Sequence, residues 1–182
     1  MPESLFGDDP NLQTERLTIR RFAPTDLADT FAWCSDPAVP KFMSWHPHRA
    51  PGDTQHFLAF CTDQYSKGSV APWAVVVRAT NQVVGSCNFI AYDKNFSRAE
   101  IGYCLHQAFW RLGLGSEAVR AVVNFGFEKG LKRIEAVCEI GNTASVQLLK
   151  RSGFQYEGLL RSYALKNDAL IDVEMYAILP SA

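Results

Sequence analysis

The sequence predicts a mixed α+β fold, with helices flanking a twisted, largely antiparallel sheet. The hydrophobic pattern changes period along the chain in the order strand, helix, helix, three strands, helix, strand, helix, two strands. That interleaving fits neither an all-helical bundle nor a strict β–α repeat. Polar turns between neighbouring strand-like runs, Thr80-Asn81-Gln82 and Lys166-Asn167-Asp168, imply hairpins and hence antiparallel pairs. At 182 residues the chain reads as a single domain over 1–182, long enough to bury a full core.

Residues 1–13 are expected to form a loose tail. From Arg16 to Phe22, Leu17, Ile19 and Arg21 alternate with Arg16, Thr18 and Arg20, the period of a half-buried strand. Pro24-Thr25-Asp26 opens a helix to about Cys34, with Leu27, Phe31 and Cys34 on one face. Asp36 to Pro51 is a proline-rich loop carrying Trp45, His46 and His48, and a second helix covers Asp53 to Tyr65. Trp73 to Arg78 and Val83 to Tyr92 form a hairpin, and Ala99 to Leu105 is the fourth strand. Gly115 to Lys129 is the central helix, with Ala118, Val119, Val122 and Phe125 at helical spacing and Gly130 placed to end it. Ile134, Ala136 and Cys138 alternate in a strand over Arg133 to Glu139; a short helix over Asn142 to Arg151 stops before Gly153. Gln155 to Leu165 and Ala169 to Leu179 make a terminal hairpin.

Composition narrows the functional classes. Hydrophobic residues are 47% and charged residues 20%, the balance of a soluble globular protein. A net charge of −1 without a basic block argues against a nucleic-acid surface. No apolar run approaches the roughly 18 residues that would span a bilayer, and the acidic start, Met1 to Asp9, lacks a signal peptide's basic and apolar regions. A cytoplasmic location is expected. Cys34, Cys61, Cys87, Cys104 and Cys138 are widely spaced with no C-x-x-C, which argues for reduced core cysteines and against a disulfide framework or a zinc site.

The stretch Trp110-Arg111-Leu112-Gly113-Leu114-Gly115-Ser116-Glu117-Ala118 joins a strand to a helix. Its glycines let the backbone pass close to a ligand. The amides opening the helix have no internal partner and point outward, so the turn suits a pyrophosphate. From these residues alone it is equally an ordinary strand–helix connection. No Gly-Lys pair exists for a Walker loop. A Rossmann fingerprint fits poorly, because the turn comes late and too little chain follows it.

Ala99-Glu100-Ile101-Gly102-Tyr103, the Trp110-x-x-Gly113-x-Gly115-Ser116-Glu117-Ala118 turn, Asn142-x-x-Ser145 and Gly153-Phe154 occur in this order. The set resembles the GNAT acetyltransferase superfamily, and more narrowly its Rim-type branch, which acetylates ribosomal-protein N-termini. Thr14-Glu15-Arg16-Leu17-Thr18-Ile19-Arg20, followed by Asp26, is similar to that branch's first strand and helix. The resemblance implies direct transfer of the acetyl group of acetyl-CoA to a primary amine, without a metal. The preferred acceptor is a protein N-terminal α-amine. A small-molecule amine (polyamine, amino acid or antibiotic) and a non-catalytic acyl-CoA-binding module are the alternatives. It also implies a GNAT sheet splayed between its fourth and fifth strands, with pantetheine in the gap; the edge of the terminal hairpin leaves monomer and homodimer both open.

The resemblance further implies site residues. Main-chain amides of Leu112, Gly113, Leu114, Gly115 and Ser116 would hold the pyrophosphate. Arg111, standing where a glycine is frequent, reaches a phosphate or simply solvent. Asn142 is either a helix N-cap or a hydrogen-bond partner of the pantetheine arm. Many members carry a tyrosine where this chain has Leu149, so Ser145 is left to assist the departing sulfur. Glu100 is the candidate base, directly or through a water; the plainer reading is a solvated strand residue or a partner for Arg98. An α-amine of pKa ~7.7–8.0 needs only modest help near neutrality, unlike a lysine at ~10.4. Trp33, Trp45 and His46 are the candidate acceptor contacts.

Overall fold

Alternation along the strands sorts their side chains onto the two faces of one sheet. The structure, a computed structural model, describes residues 10–180. Its strands are β1 (Leu12–Gln13), β2 (Leu17–Arg21), β3 (Trp73–Val77), β4 (Gln82–Asp93), β5 (Arg98–Leu105), β6 (Arg133–Glu139), β7 (Gln155–Lys166) and β8 (Ala169–Ile178). The helices are α1 (Leu27–Cys34), α2 (Pro51–Ser66), α3 (Leu114–Glu128) and α4 (Thr143–Arg151). Short 3₁₀ turns cover Pro24–Asp26, Val39–Phe42 and Gln107–Phe109. The strand order is β1-β2-β3-β4-β5-β6-β8-β7. Every pairing is antiparallel except β5 with β6.

On one face Leu17, Ile19, Val75, Phe89, Ile101 and Ala136 pack under α3 and α4, against Val119, Val122 and Leu149. On the other, Phe22, Ala74, Val76 and Val83 pack under α1 and α2, against Trp33, Leu58 and Cys61. Helix α3 buries its expected stripe, Ala118, Val119, Val122 and Phe125. Gly130 follows it at φ 93, the left-handed conformation that ends a helix.

Part of the stretch expected as a tail is ordered as a strand. Residues 1–9 lie outside the described ones, but Leu12 and Gln13 pair with Ile19 and Thr18. Thr14 makes the turn between β1 and β2: its N–H donates to the Leu17 carbonyl (2.9 Å), and its Oγ1 accepts from the Leu17 N–H (2.9 Å). A two-residue strand is too short to show alternation, and the partly buried Leu12 side chain holds it to the core.

Candidate active site

Strands β5 and β6 pair only at their beginnings, Arg98 with Arg133, Ala99 with Ile134 and Glu100 with Glu135. Beyond Glu100 they part, although β5 runs on to Leu105 and β6 to Glu139. A gap thus opens between the carboxyl ends of two parallel strands, each followed by a helix, a placement that favours ligand binding in open sheets. It is the splay expected between the fourth and fifth strands; β1 moves their numbers up by one.

The loop after β5 forms one lip of the gap. Trp110 Nε1 donates to the Leu105 carbonyl (2.7 Å), tying the loop to the strand end. Arg111 and Gly113 are both left-handed, at φ 63 and φ 80, and Gly113 caps α3 without a side chain. The Glu117 amide is the first to reach back, to the Gly113 carbonyl (3.1 Å). The amides of Leu114, Gly115 and Ser116 therefore have no intrahelical partner. The Ser116 Oγ is also buried without a partner among the described residues. Arg111 is exposed beside them. Unpaired amides at a positive helix end, with a cation next to them, fit a pyrophosphate.

Helix α4 forms the other lip. Asn142 is its N-cap, Oδ1 accepting from the Ser145 N–H (3.2 Å), and Nδ2 remains as a donor. The Cys138 thiol donates to the Asn142 carbonyl (3.8 Å). Ser145 Oγ lies 2.6 Å from the Tyr103 hydroxyl, so a hydroxyl pair bridges β5 and α4 across the gap. Burial pushes the Tyr103 phenol well above its usual range and keeps it protonated. Leu149 is fully buried in the core and has no proton to offer.

Ile101 and Tyr103 belong to the α3–α4 side of the sheet, and Cys104 packs on the α1–α2 side. By strand alternation Glu100 shares the side of Cys104. It is half-buried, and burial first, then the neighbouring Glu135, raise its pKa. Arg98 is not its partner: that guanidinium reaches Asp93 (3.4 Å) and Glu135 (3.7 Å). The hydroxyl pair and the carboxylate thus flank the gap from opposite faces of β5.

The loop after α1 lies on Glu100's side. Trp33 does not stand on that surface: at 2% exposure it is a core residue, packed edge-on against Trp45 (centroids 6.3 Å). It shapes the wall from behind. Trp45 is half-buried and His46 exposed. His48 anchors the loop, Nδ1 lying 2.7 Å from Thr54 Oγ1 and its N–H donating to the Cys34 carbonyl (2.9 Å). Burial lowers its pKa, against a smaller opposing pull from Asp53. From the hairpin tip, Lys166 pairs with Glu139 and donates to the Lys41 carbonyl (2.7 Å), over the Phe42 ring. This tie between the loop and the end of β6 was missed from sequence, as was the Tyr103–Ser145 contact. Both join residues remote in the chain, and no local spacing signals them.

The five cysteines are free, and burial raises the pKa of each. Among the described residues no cluster could hold a metal ion, and no helix is long and apolar enough to cross a membrane.

The geometry is that of a strand–turn–helix unit beside a splayed parallel strand pair. The Acetyltransferase (GNAT) domain model matches residues 16–155, and the chain belongs to this family. It is 38% identical over 169 residues to the uncharacterized N-acetyltransferase p20 of Bacillus licheniformis, covering 92% of this chain and 95% of that protein. It is 33% identical over 98 residues to the ribosomal-protein-serine acetyltransferase of Escherichia coli, covering 53% and 55%. The crystal structure of a GNAT-family acetyltransferase from Bacillus anthracis superposes with a TM-score of 0.81 at 28% identity, covering 92% of this chain and 97% of that one. A Rossmann-type role for the glycine turn is thereby set aside.

Proposed function

We propose that the protein moves the acetyl group of acetyl-CoA directly to a primary amine, with a protein N-terminal α-amine as the preferred acceptor. The observation that carries this reading is the β5–β6 splay, with unpaired amides and a hydroxyl pair serving one face and a carboxylate the other. Main-chain amides from Leu112 to Ser116 hold the pyrophosphate, with Arg111 at its edge. Asn142 offers Nδ2 to the pantetheine arm, since its Oδ1 is engaged as the cap. The Ser145 hydroxyl steadies the charge that develops on sulfur. Either hydroxyl of the Tyr103–Ser145 pair can donate; with Tyr103 as the donor, the serine proton points at the sulfur. On the other face Glu100, directly or through one water, accepts the proton leaving the amine. Trp45 and His46 meet the acceptor, with Trp33 supporting them. The partial match to a ribosomal-protein-serine acetyltransferase supports a protein α-amine.

The test is acetyl transfer from acetyl-CoA to a pool of short peptides with varied N-termini, followed by thiol release and mass analysis of the products. Acetylation at the α-amine is the expected result, and it identifies the favoured first residue. Turnover confined to polyamines, amino acids or antibiotics would reassign the acceptor. CoA binding without turnover on either panel would leave a binding module.

A further inference from the structure

The cofactor loop is held from behind by the first turn of the chain's own sheet. Glu117 lies one residue beyond the unpaired amides, where its charge would repel a pyrophosphate. That charge is met in full. Arg16 approaches Oε2 through Nε (2.7 Å) and Nη2 (2.6 Å), and Oε1 accepts from the Arg16 backbone N–H (2.9 Å) and from Thr14 Oγ1 (2.5 Å). The same guanidinium donates through Nη1 to the Leu112 carbonyl (2.9 Å). Leu112 sits between the two left-handed residues, Arg111 and Gly113, which need outside support to hold that shape. Arg78 fastens the anchor in turn, donating through Nη1 to the Thr14 carbonyl (2.7 Å).

We propose that Arg16, with Thr14 and Glu117, is a positioning device for the acetyl-CoA loop: it neutralises the acid in the first turn of α3 and holds Leu112 so that the following amides converge on the pyrophosphate. This rests on the acetyl-CoA reading above. The Arg16 side chain is 45% exposed and that of Glu117 only 12%, so losing the pair costs some stability, and the loop's share is read from a loss specific to the pyrophosphate-bearing donor. One fork makes both contacts, which a lysine cannot reproduce.

The experiment compares wild type with Arg16→Met and Arg16→Lys. Affinity for CoA is measured by calorimetry, steady-state rates are measured with acetyl-CoA and with acetyl-pantetheine (which lacks the pyrophosphate), and melting temperature serves as the fold control. Arg16→Met is expected to weaken CoA binding and raise the KM for acetyl-CoA about tenfold, with kcat little changed, because it removes charge-assisted hydrogen bonds at the loop. Its rate with acetyl-pantetheine stays at the wild-type level, and Arg16→Lys falls between. An unchanged CoA affinity in Arg16→Met would overturn the inference. Equal losses with both donors would do so too, since they mark general damage. A wild-type protein that binds no CoA would remove the acetyl-CoA reading itself.

Discussion

Glu100 faces Glu135 at the last register before the sheet opens, and burial together with that neighbour raises its pKa. A base must be ionised, so the rising limb of kcat/KM against pH should lie above the ~4.3 of an ordinary glutamate. Glu100→Gln should abolish that limb, leave only the titration of the amine, and lower kcat by about 10²-fold with the KM for acetyl-CoA unchanged. A limb that persists in the variant would place the base elsewhere. In the proposed mechanism Tyr103 acts through Ser145, 2.6 Å away. Tyr103→Phe and Ser145→Ala should each slow kcat about tenfold, and the double variant should be hardly slower than either. Fully multiplicative losses in that cycle would mean that the hydroxyls work independently.

At the scale of elements, alternation and helical spacing were legible wherever one face of a segment is buried. β6 occupies the expected Arg133–Glu139, and α3 the expected stretch to within a residue. Pro24-Thr25-Asp26 does open a helix, as a 3₁₀ turn that continues into α1. The Asn142 cap was equally readable, because capping is a local preference. The splay was not, since where two strands cease to pair depends on residues distant in sequence; only the family resemblance implied it. The hydroxyl pair escaped for the same reason, and β1 because two residues are too few to show alternation. Gly85 shows a further tertiary demand. A Cβ there would lie 2.1 Å from the Cys104 carbonyl oxygen and 2.8 Å from the Leu105 Cα. Main chain cannot yield as a side-chain tip can, so Gly85→Ala should destabilise by about 2–3 kcal/mol. Gly130→Ala, with open space at φ +93, should lose only about 1 kcal/mol through backbone strain. Urea unfolding of both checks this: equal shifts in midpoint would remove the steric argument for Gly85.

The whole molecule places a half-buried acid on β5 beside the gap, and the consequence is visible in stability against pH. His48 has a lowered pKa in the fold, so below its ordinary 6.5 the unfolded chain binds a proton that the folded chain resists, and stability falls. In Glu117 burial works upward, but hydrogen bonds from Thr14 and Arg16 prevail and hold the pKa down. Glu157 is held down by Arg133. Their contribution is present above the ordinary 4.5 and is lost as pH falls through the folded value. Glu100 has the opposite sign. Its raised pKa means the fold binds that proton more tightly than the unfolded chain does, so ionisation at neutral pH costs stability, and the cost disappears on acidification. The melting temperature should thus decline from pH 7 to pH 4, with Glu100 alone among these groups opposing the decline. Glu100→Gln isolates that opposing contribution. The variant should melt above wild type at pH 7, where only wild type carries the half-buried charge. The two curves should converge as pH falls towards the ordinary carboxylate range, where wild-type Glu100 is neutral as well. Thermal unfolding of both proteins across this range by circular dichroism decides the matter. If the variant melts no higher at pH 7, Glu100 is not a destabilised carboxylate, and its candidacy as a base tuned by burial fails with it.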